Sequence, residues 1–370
     1  MKLFLEKMID LEDKKFHRKY SILNNLRCER ELVQKWSEGF IDRDNKIVGE
    51  FQRNFHSSFW EFYIHQLLKN MNSIIDFSKH RPDFIVKNPD GTDRFYIEAR
   101  ISGIKEGGRP ESERNLGDLF DTETPIWKLD EFKNILDEGI IRCSSGFRYK
   151  AEEMYDSYKK DEWFNQKVPY IIGLSSFSQI NYGLESHYSI LALLYGQCVR
   201  PGGHTFGKCH KVFKENLKKK KVLIETNLFN DKKYSHVAAV LFSSKLTLGK
   251  LTALSLSQGD PSFNLVMNVY HDLSNKKYNV EVISETNPEH FADGLFLFHN
   301  PNADCPLDPK EFLNQGIIQV FQKNKKLIFS NNRKPLVCRV NRFGMKHIAH
   351  IQKLSLDELY NTYGFNSVYS

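Results

Sequence analysis

Apolar positions along this chain switch between helical and strand spacing. In residues 51–72, FQRNFHSSFWEFYIHQLLKNMN, the positions Phe55, Phe59, Phe62 and Tyr63 follow one helical stripe, and Trp60, Ile64, Leu67 and Met71 another. A helix apolar round most of its circumference is buried, so the charge of Glu61 in its middle needs an answer. Either Glu61 lies on a narrow solvent strip or is paired with His65 one turn on, or it faces a site; Glu50 is a weaker alternative acid. Residues 1–45 are charged, with Leu3, Leu5, Met8, Ile9 and Leu11 as an apolar stripe, and predict a helical arm.

Strand patterns follow. Residues 73–78 predict a short strand. Phe84–Lys87 and residues 94–100 predict a hairpin about Asn88-Pro89-Asp90-Gly91-Thr92, because Asp-Gly is a strong hairpin signal. Centring the turn on Asp90-Gly91 sets Asp83 opposite Glu98 and Arg81 opposite Arg100. Phe84, Val86, Phe95, Ile97 and Ala99 then share the core face, and Asp83, Ile85, Tyr96, Glu98 and Arg100 the other. Residues 103–123 read as a loop, 127–136 and 144–160 as helices, 170–177 as a strand and 187–196 as an apolar helix. Strands at 222–225, 235–243 and 263–271 are expected to extend the sheet. A turn-rich loop at 299–312 carries His299 and Asp304, which should pack at the sheet edge. The implied class is α/β, a mixed central sheet flanked by helices. A helical arm (1–45), an α/β body (46–300) and a C-terminal extension packed on it (301–370) divide the chain.

Composition sharpens this only modestly. A chain of 370 residues, 40% hydrophobic and 27% charged, is globular in type. Its net charge of +7 permits a polyanionic partner without requiring one. Cys28, Cys143, Cys198, Cys209, Cys305 and Cys338 form no C-x-x-C pair and read as isolated, reduced thiols of a cytoplasmic protein. The N-terminal MKLFLEKMIDLEDKK does not read as a signal peptide, and no apolar run approaches the length of a membrane span. His204, Cys209 and His210 lack a second close pair, so no structural zinc is expected. Residues 211–221 hold six lysines and one Glu; Lys218, Lys219, Lys220 and Lys221 either contact phosphates or form a solvated face.

Facing carboxylates repel across a strand pair. A divalent cation between Asp83 and Glu98 would answer this; so would a square closed by Arg81 and Arg100. Pro82-Asp83, followed across the hairpin by Glu98-Ala99-Arg100, resembles the PD-(D/E)XK nuclease superfamily. The resemblance covers about residues 50–178 and implies a restriction-endonuclease-like core in the order helix, three strands, helix, strand. It further implies that Asp83 and Glu98 hold Mg²⁺ or Mn²⁺, that Glu61 assists from the first core helix, and that a lysine two residues after Glu98 handles the attacking water. Here that position is Arg100, which keeps its proton and suits phosphate clamping better. Lys150 is the candidate replacement, since some members carry the lysine on a neighbouring helix; a solvated helix lysine is the alternative. The implied activity is metal-dependent phosphodiester hydrolysis, with DNA the expected substrate and a homo-oligomer compatible with it. A catalytically inactive nucleic-acid-binding or assembly module, and an unrelated α/β protein, are the competing readings.

Overall fold

A computed structural model describes residues 1–5, 16–104, 111, 132–177, 183–200, 203–215, 220–260, 264–330 and 333–342. Helices α1 (Arg18–Asn25) and α2 (Arg27–Trp36) form the arm, with Leu3 buried and Leu5 exposed; Met8, Ile9 and Leu11 lie outside the described residues. The single helix expected over 51–72 is two, α3 (Ile47–Arg53) and α4 (His56–Asn70). They break at Phe55, whose φ is 54°. A positive φ is costly for an aromatic residue, and here the Phe55 ring is held between those of Phe51, Phe59 and His17.

Next come β1 (Ile74–Asp76), β2 (Phe84–Lys87) and β3 (Asp93–Ile101). The hairpin has the expected register, with Phe84 opposite Ile97, Ile85 opposite Tyr96 and Val86 opposite Phe95, and it slips only beside the turn at Lys87. Phe84, Val86, Phe95 and Ile97 enter the core beneath α4, with Ala99 packed against it. Ile85 and Tyr96 are buried on the opposite face. The helices expected at 127–136 and 144–160 are one rod: α5 (Phe132–Arg148), a π-helical stretch Tyr149–Met154 and α6 (Tyr155–Tyr158). No proline interrupts the apolar spacing between them. Residues 127–131 lie outside the described residues.

The remaining elements are β4 (Tyr170–Ser175), α7 (Tyr188–Tyr195), β5 (Gln197–Val199), β6 (Phe206–Lys208), β7 (Val212–Glu215), β8 (Lys221–Ile224), β9 (Val237–Ser243), α8 (Leu248–Leu256), β10 (Leu265–Asp272), β11 (Lys277–Val282), β12 (Leu295–His299), β13 (Ile318–Lys323), β14 (Lys326–Phe329) and β15 (Leu336–Arg342). Among the described residues, eight strands make one mixed sheet in the order β1-β2-β3-β4-β9-β12-β13-β14. Strands β3, β4 and β9 run parallel, and every residue of β4 and β9 is buried, as expected of strands covered on both faces. The arm, α4 and α8 cover one face; α5 and α7 cover the other. Helix α4 sits close to β4: Trp60 Nε1 donates to the Gly173 carbonyl at 2.9 Å. A Cβ at Gly173 would stand 3.0 Å from Ile64 Cδ1.

Not every expected strand joins this sheet. Among the described residues, the strand at 222–225 pairs with β7 alone, and that at 263–271 with β11 and β15, whereas β9 and β12 are central. Strands β13 and β14 complete the far edge. Among the described residues no helix is long and apolar enough to cross a membrane.

Candidate active site

Tight hairpin pairing ends at Phe84, so Asp83 stands at the mouth of β2 beside Glu98 of β3. Each acid is held by the other strand's backbone or side chain. Asp83 Oδ2 accepts from Ala99 N–H at 2.7 Å, and Asp83 N–H donates to Glu98 Oε2 at 3.2 Å. Glu98 is 3% exposed. Its other oxygen, Oε1, receives the ammonium of Lys150. Lys150 reaches it because α5 lies close on β3 and β4: a Cβ at Gly146 would stand 2.8 Å from Leu174 Cδ1 and 3.3 Å from Ser102 Oγ. One turn later the π-helical stretch begins, and Lys150 is its second residue.

Among the described residues, acids outnumber bases here. Burial first, then the charge of Asp83, push the Glu98 carboxyl up to about 7 against the pull of Lys150. Glu61 enters from α4 with its side chain half-buried. Desolvation, followed by Asp83 and Glu50, raises its carboxyl well above the ordinary range. The expected alternative partner is taken, since the His65 ring binds the Trp36 carbonyl at 2.8 Å. Burial alone would lower the Lys150 ammonium, but Glu98 and Asp83 outweigh it and its pKa is raised. Lys150 is thus a buried, paired lysine and not a solvated one. Arg100 is exposed and lies over the Tyr149 ring, 4.6 Å from its centroid.

The square of two acids and two arginines does not form. The chain turns away from β3 ahead of Asp83, and Arg81 binds both oxygens of Asp161 at 3.0 and 3.1 Å, with Ser157 Oγ at 2.6 Å. Tyr158 escapes the sequence pattern. Its buried hydroxyl lies beside Glu98, and burial together with that charge raises its pKa. Its position two helical turns beyond Lys150 is the signal that places it on the same side.

A second cluster competes for attention. His17 Nε2, His56 Nε2 and a Glu111 oxygen all lie within 4.8 Å of one another. As arranged it is a carboxylate surrounded by its own donors. His17 Nδ1 accepts from Lys19 N–H at 3.2 Å, so a neutral ring carries its proton on Nε2, toward Glu111 Oε2. His56 Nε2 meets the same oxygen at 2.8 Å, and Lys19 Nζ lies 2.8 Å from Oε1. Burial raises Glu111, but Lys19 and the histidines outweigh it and hold it far below the carboxylate range. An added cation would face the Lys19 ammonium.

Other candidates disperse. His204 meets His271 at 3.0 Å and His210 meets Asp137 at 2.6 Å. Cys209 forms a disulfide with Cys198, so these two are not the isolated thiols that their spacing suggested; register across β5 and β6, which sequence spacing does not reveal, brings them together. His299 bonds Gln319 at 2.7 Å and Asp304 bonds Ser235 at 2.6 Å, both at the sheet. Lys220 and Lys221 are exposed at β8, apart from the acids, while Lys218 and Lys219 lie outside the described residues. Comparison of the chain with protein-family models, curated proteins and solved structures gives no match.

Proposed function

We propose that this chain is a metal-dependent phosphodiester hydrolase of the PD-(D/E)XK type, acting on nucleic acid, with DNA the expected substrate. The observation that carries this reading is the Lys150 ammonium on Glu98, delivered by a π-helical stretch beside Asp83 and Glu61. Such π-bulges gather at functional sites, and the lysine that Arg100 fails to supply arrives from the helix instead.

Asp83 and Glu98 fit a hard divalent cation. They are oxygen donors brought side by side where β2 meets β3, tied by the Ala99 N–H on Asp83 and the Asp83 N–H on Glu98. When bound, Mg²⁺ or Mn²⁺ supplies an acidified water and neutralises phosphate charge. The protein's own groups do the rest. Lys150 orients the water or a phosphate oxygen, Glu61 accepts a proton through water, and the exposed Arg100 clamps phosphate with two parallel donors.

One observation favours a catalytically inactive binding or assembly module: Lys150 already neutralises Glu98 without an ion. An assay on plasmid, linear duplex and RNA with Mg²⁺, Mn²⁺ or EDTA separates the two. Cleavage that needs metal and falls about 100-fold or more in Asp83→Asn and Lys150→Met supports the hydrolase. No cleavage of any substrate with either metal gives the second reading.

A further inference from the structure

Among the described residues the hairpin β7–β8 stands apart from the main sheet and its two strands pair with each other alone. Its register sets Val212 opposite Ile224, Phe213 opposite Leu223, Lys214 opposite Val222 and Glu215 opposite Lys221. Alternation puts Val212 and Lys214 on one face, and Phe213 and Lys221 on the other. Among its described residues the root is packed, with Val212 buried on α5. Phe213, Val222 and Leu223 are 48%, 46% and 49% exposed. An exposed, directly paired Phe and Leu is an unusual surface for a small hairpin. Around it lie the exposed Lys211, Lys214, Lys220 and Lys221.

Both roots of the hairpin are fastened to the helix that carries Lys150. Just before β7, His210 meets Asp137 at 2.6 Å; just after β8, Glu225 meets Arg148 at 2.7 Å, two residues from Lys150. The hairpin is therefore tied at both ends to the helix that leads into Lys150.

We propose that β7–β8 is a duplex-binding ribbon, whose lysines meet phosphates on both walls of a groove while Phe213 and Leu223 seat against sugars or base edges between them. The inference deepens the hydrolase reading and rests on it for the choice of nucleic acid. Two features of the hairpin and one general precedent support this occupant. Lysines on both faces match two walls of phosphate, whereas a planar anionic bilayer would address one face. Like charge opposes docking of the hairpin on a second copy of itself. Apolar side chains on β-ribbons and wedges are used in this way in grooves.

Binding of a labelled 25-base-pair DNA duplex to the full chain in EDTA tests it, since cleavage and metal are then irrelevant. Lys214→Ala with Lys221→Ala should reduce the slope of log affinity against log salt by about 1.8, as each lost phosphate contact removes about 0.9. Phe213→Ser with Leu223→Ser should weaken binding about tenfold with the slope unchanged. Both pairs lie outside the core, so the variants should melt as wild type does. The inference is overturned if both variants bind within twofold of wild type. It is equally overturned if they lose only binding to vesicles containing phosphatidylserine, or only self-association by sedimentation. Hairpin-dependent binding without any cleavage sinks the hydrolase reading and keeps this one; cleavage without hairpin-dependent binding does the reverse.

Discussion

Two buried ionic clusters in this protein have opposite electrostatics. Around Glu289 the charges balance. Arg339 grips both carboxylate oxygens at 3.0 and 2.5 Å, Lys250 adds a contact at 2.7 Å, and Asn268 donates at 2.7 Å. Burial raises Glu289, but Arg339 and Lys250 more than cancel it, and its pKa is lowered. Around Glu98 the acids Asp83 and Glu61 face the buried cation Lys150, and both Glu98 and Glu61 are raised. A carboxylate pushed down has found its partners and fixes structure. One pushed up, as Glu98 is by burial and by Asp83 despite the Lys150 ammonium, is held among like charges in a desolvated place, the kind of environment that is common at functional sites.

The largest effect should come from breaking the balanced cluster. Glu289→Ala leaves Arg339 and Lys250 buried without their counter-charge and should cost about 3–5 kcal/mol of stability. Denaturant unfolding checks this, and a loss near zero would erase the contrast. Next in size is the ion itself. Mg²⁺ at about 100 times its Kd should stabilise the wild type by about 2.7 kcal/mol, and should leave Asp83→Asn unmoved; equal shifts in both would place the ion elsewhere.

Smaller still, Asp83→Asn without metal should be neutral or stabilising by up to about 1 kcal/mol, since it removes repulsion between facing acids. Asparagine retains an oxygen for the Ala99 N–H. A clear loss of stability in thermal melting would mean that Asp83 already has a cationic partner.

The smallest signal lies in pH. Glu98 rises from an ordinary 4.5 to about 7 in the folded protein. The folded state therefore holds more protons between these values, and stability should fall as pH rises from about 4.5 through about 7. Glu289 acts oppositely: its contribution is present above 4.5 and is lost as pH falls through its lowered folded value. Glu185, also pushed up to about 7, adds to the first trend. Only the difference between wild type and Asp83→Asn isolates the site, and the variant should show the flatter decline.

Much of this was legible in the sequence, for local reasons. Asp90-Gly91 sets the turn, the turn sets the register, and register with period-two alternation places Asp83 beside Glu98 and Phe84, Val86, Phe95 and Ile97 in the core. Helical spacing gave α4, with Glu61 at its middle, and the apolar α7. Tertiary structure decided what depends on residues far apart in sequence. It joined two expected helices into one rod and carried Lys150 to Glu98 across 52 positions. It also turned Arg81 from the strand toward Asp161, and paired Cys198 with Cys209. It sorted strands of similar composition too: β9 became the buried centre, while β8 and β10 left for sheets of their own. Periodicity records which face of an element is apolar; which partner covers that face, and which cation answers a buried acid, is settled only when distant elements pack.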